Sequence, residues 1–262
     1  MKDLFSRFSE IIRGLNPDEL EHPERVELLA LDRDQIGGRN VKLVYAPFDH
    51  VNLEAKVVIV GITPGRQQAS NALKAAKRGL DRGLSADAAS AEAKVFASFS
   101  GPMRTNLIAM MDSVGIAEFL GVQSCTSLWG EQAKLVHFTS AIRYPVFVDG
   151  KDWSGSNPTA FRLASMRKWL SDYTGEELRV LSRALIIPLG PKVAEMLEFL
   201  APEGLVPRER IIAGLPHPSG ANAERIAYFL GRKPKDRLSP KTNAEALDTA
   251  RESIVARVSA IS

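Results

Sequence analysis

Four short apolar runs, each closed by Gly, Pro or a small polar residue, constrain this chain more than any other feature. They are "AKVVIVGITPG" (55–65), "KLVHFTSAI" (134–142), "RALIIPLG" (183–190) and "RIIAGLP" (210–216). Runs that are apolar at nearly every position belong to strands buried on both faces, and such strands sit in parallel sheets covered by helices. The segments between them read as those helices. Residues 66–98 are Ala-rich with interleaved charge and a break near "RGLDRGLSAD"; 103–116 carry apolar residues at helical spacing; 158–182 and the stretches after the third and fourth runs follow suit. Strand alternating with helix predicts an α/β fold, a three-layer αβα arrangement around a central, mostly parallel sheet of about four strands.

The chain reads as a single α/β domain over 1–262, with its core at 40–231, N-terminal helices within 1–39 and a C-terminal helical extension over 232–262. The N-terminal helices are expected at 3–14 and 17–31, the second opened by Asn16 as cap with Pro17 at its first position. "KLVYAPF" (42–48) reads as a short extended segment, "RYPVFVDGKDWSGSNP" (143–158) as an aromatic loop, and the closing helix as starting from a capping box of Thr242 and Glu245.

Composition narrows the function classes. No apolar run approaches the ~20 residues of a membrane span, and "MKDLFSRFSEIIRGL" mixes charge into its apolar positions, unlike a signal peptide; a cytoplasmic protein is expected. A single cysteine, Cys125, excludes an internal disulfide and an all-cysteine cluster, and Cys125, His22 and His50 make no metal-binding spacing. Neither a metal nor another cofactor is expected. The net charge of +3 permits a nucleic-acid partner without requiring one. Lys74, Lys77, Arg78, Arg82 and Lys94 either line a groove for such a partner or form an ordinary solvated helix face.

In parallel sheets ligands gather beyond the carboxyl ends of the strands, where "GITPG", "TSAIRY", "LGPK" and "LPHPSG" all fall. His217 stands between Pro216 and Pro218, which restrict the backbone on both sides of it. A histidine held this stiffly is either aimed at a ligand or satisfied by backbone carbonyls at a strand end. His137 is out of step with Ser140 along its run, so the two face opposite ways.

The order and spacing of these motifs over roughly 55–231 resemble the uracil-DNA glycosylase superfamily. Gly61, Ile62, Thr63, Pro64 and Gly65 match its Gly-x-x-Pro-Gly motif, and His217, Pro218 and Ser219 match its His-Pro-Ser motif. The resemblance implies hydrolysis of the N-glycosidic bond of a flipped uracil or other damaged base in DNA. His217 would act on the departing base, Thr63 would hold the water, Phe99 would stack on the base, Ser140 would read its edge and Ser219 would meet a phosphate. Two positions depart from the superfamily. Active relatives usually carry Asp, Glu or Asn where this chain has Thr63, and Asn where it has Ser140. A Thr hydroxyl is a poor base, and one hydroxyl does not reproduce an amide's paired donor and acceptor. A binding protein of the same fold with weak or no catalysis is therefore the alternative.

Each residue also has a plain structural use. Thr63 suits a strand end, Pro64 and Gly65 a tight turn, Phe99 a core, and Ser219 a helix cap. Arg225 is a further candidate to fill a gap in a duplex.

Overall fold

A computed structural model describes residues 4–97, 101–157, 159 and 164–261. The helices are α1 (Leu4–Gly14), α2 (Pro17–Glu21), α3 (Arg66–Asp81), α4 (Ala86–Ala97), α5 (Gly101–Asp112), α6 (Ile116–Leu120), α7 (Ala164–Trp169), α8 (Glu176–Val180), α9 (Pro191–Leu200), α10 (Ala223–Phe229) and α11 (Ala244–Ile261). A π-helical turn, Leu170–Gly175, joins α7 to α8. The strands are β1 (Ala30–Ile36), β2 (Arg39–Val44), β3 (Val57–Gly61), β4 (Val136–Ser140), β5 (Val146–Val148), β6 (Lys151–Asp152) and β7 (Leu185–Pro188). The fold is α/β, as the apolar runs predict.

The first three runs form a parallel sheet in the order β4-β3-β7. The fourth contributes less than expected. Ile211 pairs with Ile186 only as an isolated parallel bridge, secured by the Ile212 N–H to the Ile186 carbonyl at 2.8 Å. Two prolines and the positive-φ Gly214 follow within a few residues, and proline has no N–H to continue a ladder.

Burial on both faces is visible along β3. Val58 and Val60 pack in one core with residues of α1, α3, α4, α7 and α9, while Val57 and Ile59 pack in a second with α5, α6, α10 and α11. The closing helix is thus part of the second core, through Ile254 and Val258.

A second sheet was not anticipated: an antiparallel one in the order β1-β2-β5-β6. The expected helix over 17–31 ends at Glu21, because Pro23 disfavours helical backbone at His22. Its opening stands, with Asn16 Oδ1 accepting from the Glu19 N–H at 3.0 Å and the Asn16 N–H donating to Glu19 Oε2 at 2.8 Å. β1 and β2 are joined by Gly37 and Gly38, both at positive φ, and β5 and β6 by Asp149 and Gly150, also both positive. This is the backbone of two-residue hairpin turns, and Gly-Gly and Asp-Gly are sequence signatures for it. Asp149 also ties the two turns together, accepting from the Asn40 N–H and from Arg39 Nε, each at 2.9 Å.

The cap of α11 is also corrected. Asn243 Oδ1 takes the Ala246 N–H at 3.1 Å, while the Thr242 hydroxyl donates instead to Glu224 at 2.6 Å. Among the described residues no helix is long and apolar enough to cross a membrane.

Candidate functional site

The corner after β3 is built by backbone pairing and one hydroxyl. Gly61 lies in register with Ser140, and the Gly61 and Ile62 carbonyls accept the N–H groups of Ala141 and Ile142 at 2.8 and 2.9 Å. The Thr63 hydroxyl donates to the Tyr144 carbonyl at 3.0 Å and accepts from the Val146 N–H at 3.2 Å. It therefore links the parallel sheet to the antiparallel one, a use that competes with the water-holding role expected of it. Gly65 precedes α3; its N–H donates to Gln68 at 3.2 Å, and Asp152 takes the Arg66 N–H at 2.9 Å.

His217 is half-buried after the fourth run. Its Nδ1 accepts the Ser219 N–H at 3.3 Å, so the ring proton resides on Nε2. Burial pushes its pKa below the ordinary imidazole range, which keeps the ring neutral at neutral pH. The loop is anchored from α5, where Asn106 Nδ2 donates to the Pro218 carbonyl at 2.9 Å. Ser219 thus serves His217 through its backbone, while its hydroxyl accepts from Asn222 Nδ2 at 3.3 Å.

The imidazole lines a cleft of about 980 Å³. Ile62 from the β3 corner, Leu189 and Gly190 after β7, Ser154 from the β6 loop, Lys192 of α9 and Arg225 of α10 share its wall. Lys241 and Asn243, just before α11, and Leu247 and Ala250 within it close the remaining side. The position follows from topology. From β3 the chain crosses to β4 on one side of the sheet and then returns to β7 on the other. Such a reversal leaves a crevice between the diverging connections, and the cleft opens at the carboxyl ends of β3 and β7.

Other expected residues lie elsewhere. Pro64 and Ser140 line a separate cavity of about 20 Å³ with Phe48, Phe138 and Arg143, enough room for about one water. Phe99 lies outside the described residues. His217 and Ile62 therefore share one cleft, and Pro64 and Ser140 share another cavity. The contribution of the segment before α11 is carried by no short motif and is invisible to sequence reading; Lys192 sits in the "LGPK" strand end that the sequence does flag.

This chain is 34% identical over 212 residues to the "Uncharacterized protein YoxB" of Bacillus subtilis (strain 168), a match covering 80% of this chain and 83% of that one. It belongs to the YoxB family. No family model matches the chain, and no solved structure matches it either.

This YoxB-family chain also holds a buried charge cluster behind β4. Glu177 of α8 accepts from Lys94 Nζ at 2.8 Å and His137 Nε2 at 2.5 Å on one oxygen, and from Thr139 Oγ1 at 2.8 Å and Arg143 Nε at 2.9 Å on the other. Lys94 is therefore not part of an exposed basic face. Its ammonium is buried and also donates to the His50 carbonyl at 2.7 Å. Lys74 of α3 pairs with Glu21 and Arg82, at the end of that helix, with Glu92, while Lys77 donates to the Arg13 carbonyl. Burial, then Lys94, lowers the His137 pKa to about 4. Beside the cluster, Asp49 accepts from the hydroxyls of Tyr45 and Tyr144 at 2.7 and 2.8 Å, and burial pushes its carboxyl up. His137 and Thr139, two residues apart on β4, both face Glu177, and the small cavity that Ser140 lines also takes in Lys94, Thr139 and Arg143 of this cluster.

Proposed function

We propose that this protein is a hydrolase of the uracil-DNA glycosylase type, acting on the N-glycosidic bond of uracil or another damaged base turned out of DNA. One observation carries the reading: an imidazole flanked by prolines, its Nδ1 taken by the Ser219 N–H so that Nε2 is left to donate, in a cleft at the carboxyl edge of a parallel sheet. Breaking the bond from sugar carbon to base nitrogen leaves positive charge on the sugar and negative charge on the base. A preorganised donor at the base oxygen stabilises that charge as it develops, commonly the largest contribution to such catalysis. Water adds its oxygen to the sugar carbon, and its proton leaves to solvent or to the base. The reading carries with it the three-layer αβα architecture with residues 210–213 as the fourth parallel strand, and DNA as the partner.

A second reading, binding without cleavage, is favoured by a different observation. The Thr63 hydroxyl is spent on Tyr144 and Val146, and Ser140 lines a cavity the size of one water. An enzyme without a positioned base forgoes about 10²–10⁴ in rate, so slow turnover is expected. The deciding experiment measures free-base release from single- and double-stranded oligonucleotides containing uracil or other deaminated or oxidised bases. Release that falls by two or more orders of magnitude in His217→Ala supports the hydrolase. Salt-dependent binding with no release selects the second reading, and release unaffected by His217→Ala overturns the assignment of this residue.

A further inference from the structure

The His217 cleft is unevenly charged. Lys192, Arg225 and Lys241 line it from three different elements, and no Asp or Glu is among the described residues on its wall. None of the three cations forms an ion pair with a described carboxylate. Three acidic residues of α10 and α11 have other partners. Glu224 holds Lys233, Ser239 and Thr242, which keeps its carboxyl well below the usual range; Asp248 accepts from the Tyr228 hydroxyl at 2.9 Å; Glu245 lies 3.9 Å from Lys235. Arg225 is fixed in place, donating through Nη1 to Asn222 at 3.1 Å and through Nη2 to the Lys241 carbonyl at 3.2 Å. Leu189, Leu215 and Leu247 make much of the remaining wall apolar.

Uncompensated cations beside an apolar surface attract an anion attached to an organic body. A planar guanidinium with both ends tethered is suited to phosphate oxygens. We infer that Lys192, Arg225 and Lys241 form a phosphate subsite, and that the segment leading into the C-terminal helix is required for it. This deepens the glycosylase reading because it concerns the same cleft, and it rests on that reading for the choice of nucleotide probes. The phosphate belongs either to the end of a free nucleotide or to the backbone of a strand.

The full chain and its Lys192→Gln, Arg225→Gln, Lys241→Gln and triple variants are titrated with a labelled single-stranded oligonucleotide over a salt series. Deoxyuridine 5′-monophosphate and unphosphorylated deoxyuridine are titrated by calorimetry. The three side chains are exposed, so the variants retain their folding transition, and Lys241→Arg restores what Lys241→Gln loses. The expected result is a salt slope of log affinity that shrinks by about 0.7 for each cation removed, or a preference of tenfold or more for the monophosphate over the nucleoside that the triple variant abolishes. The first outcome assigns the phosphate to a strand, the second to a nucleotide end. A triple variant with the wild-type slope and no loss of phosphate preference overturns the subsite, even if base release persists. A lost slope without base release in the wild type leaves the subsite standing and removes the glycosylase.

Discussion

Glu177 receives four donors with its side chain fully enclosed, so its charge is met entirely inside the protein. Removing its charge leaves the Lys94 and Arg143 cations buried without their shared partner, and breaking a buried pair costs about 3–5 kcal/mol. Glu177→Gln is expected to lower stability by that amount in chemical denaturation. The pH dependence has a definite sign. His137 binds its proton with a pKa of about 4 in the folded chain, against an ordinary imidazole value of 6.5 once unfolded. Its neutral form therefore contributes stability that is complete above about 6.5 and is lost as pH falls toward 4, about 3 kcal/mol in all. Denaturation midpoints measured over that range should fall with acid, and less steeply in His137→Gln. Thr63 makes a similar test at its corner. Thr63→Ser keeps both hydrogen bonds and is expected to unfold like wild type. Thr63→Val strands a carbonyl and an N–H, and is expected to lose about 1–3 kcal/mol. Base release that drops in Thr63→Val with no loss of stability would return the hydroxyl to a catalytic role.

At the level of elements, the clearest consequences concern α11 and the hairpins. Gly214, at φ +126°, lies under α11 so closely that a Cβ there would come within 2.9 Å of the Ala250 Cβ. Gly214→Ala is expected to destabilise by about 1–3 kcal/mol through backbone strain and overpacking. Hydrogen exchange should rise in α11 before it rises in β3; uniform exchange would show that the contact is not local. The antiparallel sheet illustrates what is legible in sequence yet easily outweighed by a helical pattern. Gly37-Gly38 and Asp149-Gly150 are turn signals preceded by the β-branched Ile36 and Val148 and followed by Arg39 and Lys151, and the first prevails over the helical look of 17–31 once Pro23 has ended α2. The π-helical turn before Glu177 has no comparable signature in the sequence.

Across the whole molecule, the closing helix is a structural wall. Ile254 and Val258 are buried against the core that holds Ile59, Ile187, Leu215 and Phe229. A chain ending after residue 231 would expose that surface, and deletions are judged by the burial they undo. It is expected to lose its cooperative thermal transition or to aggregate; a truncated chain melting like the full one would overturn the role given to α11. The sequence by itself determined three parallel strands, their two-sided burial and the stiff backbone on either side of His217. These are local facts of apolar continuity and proline stiffness, written within a dozen residues each. Only the tertiary structure decided that the Thr63 hydroxyl is spent on a neighbouring sheet, that Lys94 is buried on Glu177, and that Lys241 stands beside Arg225 in the cleft. Each of those joins residues far apart in the chain, and hydrogen-bond partners at such separations are chosen by packing, which no short stretch of sequence records.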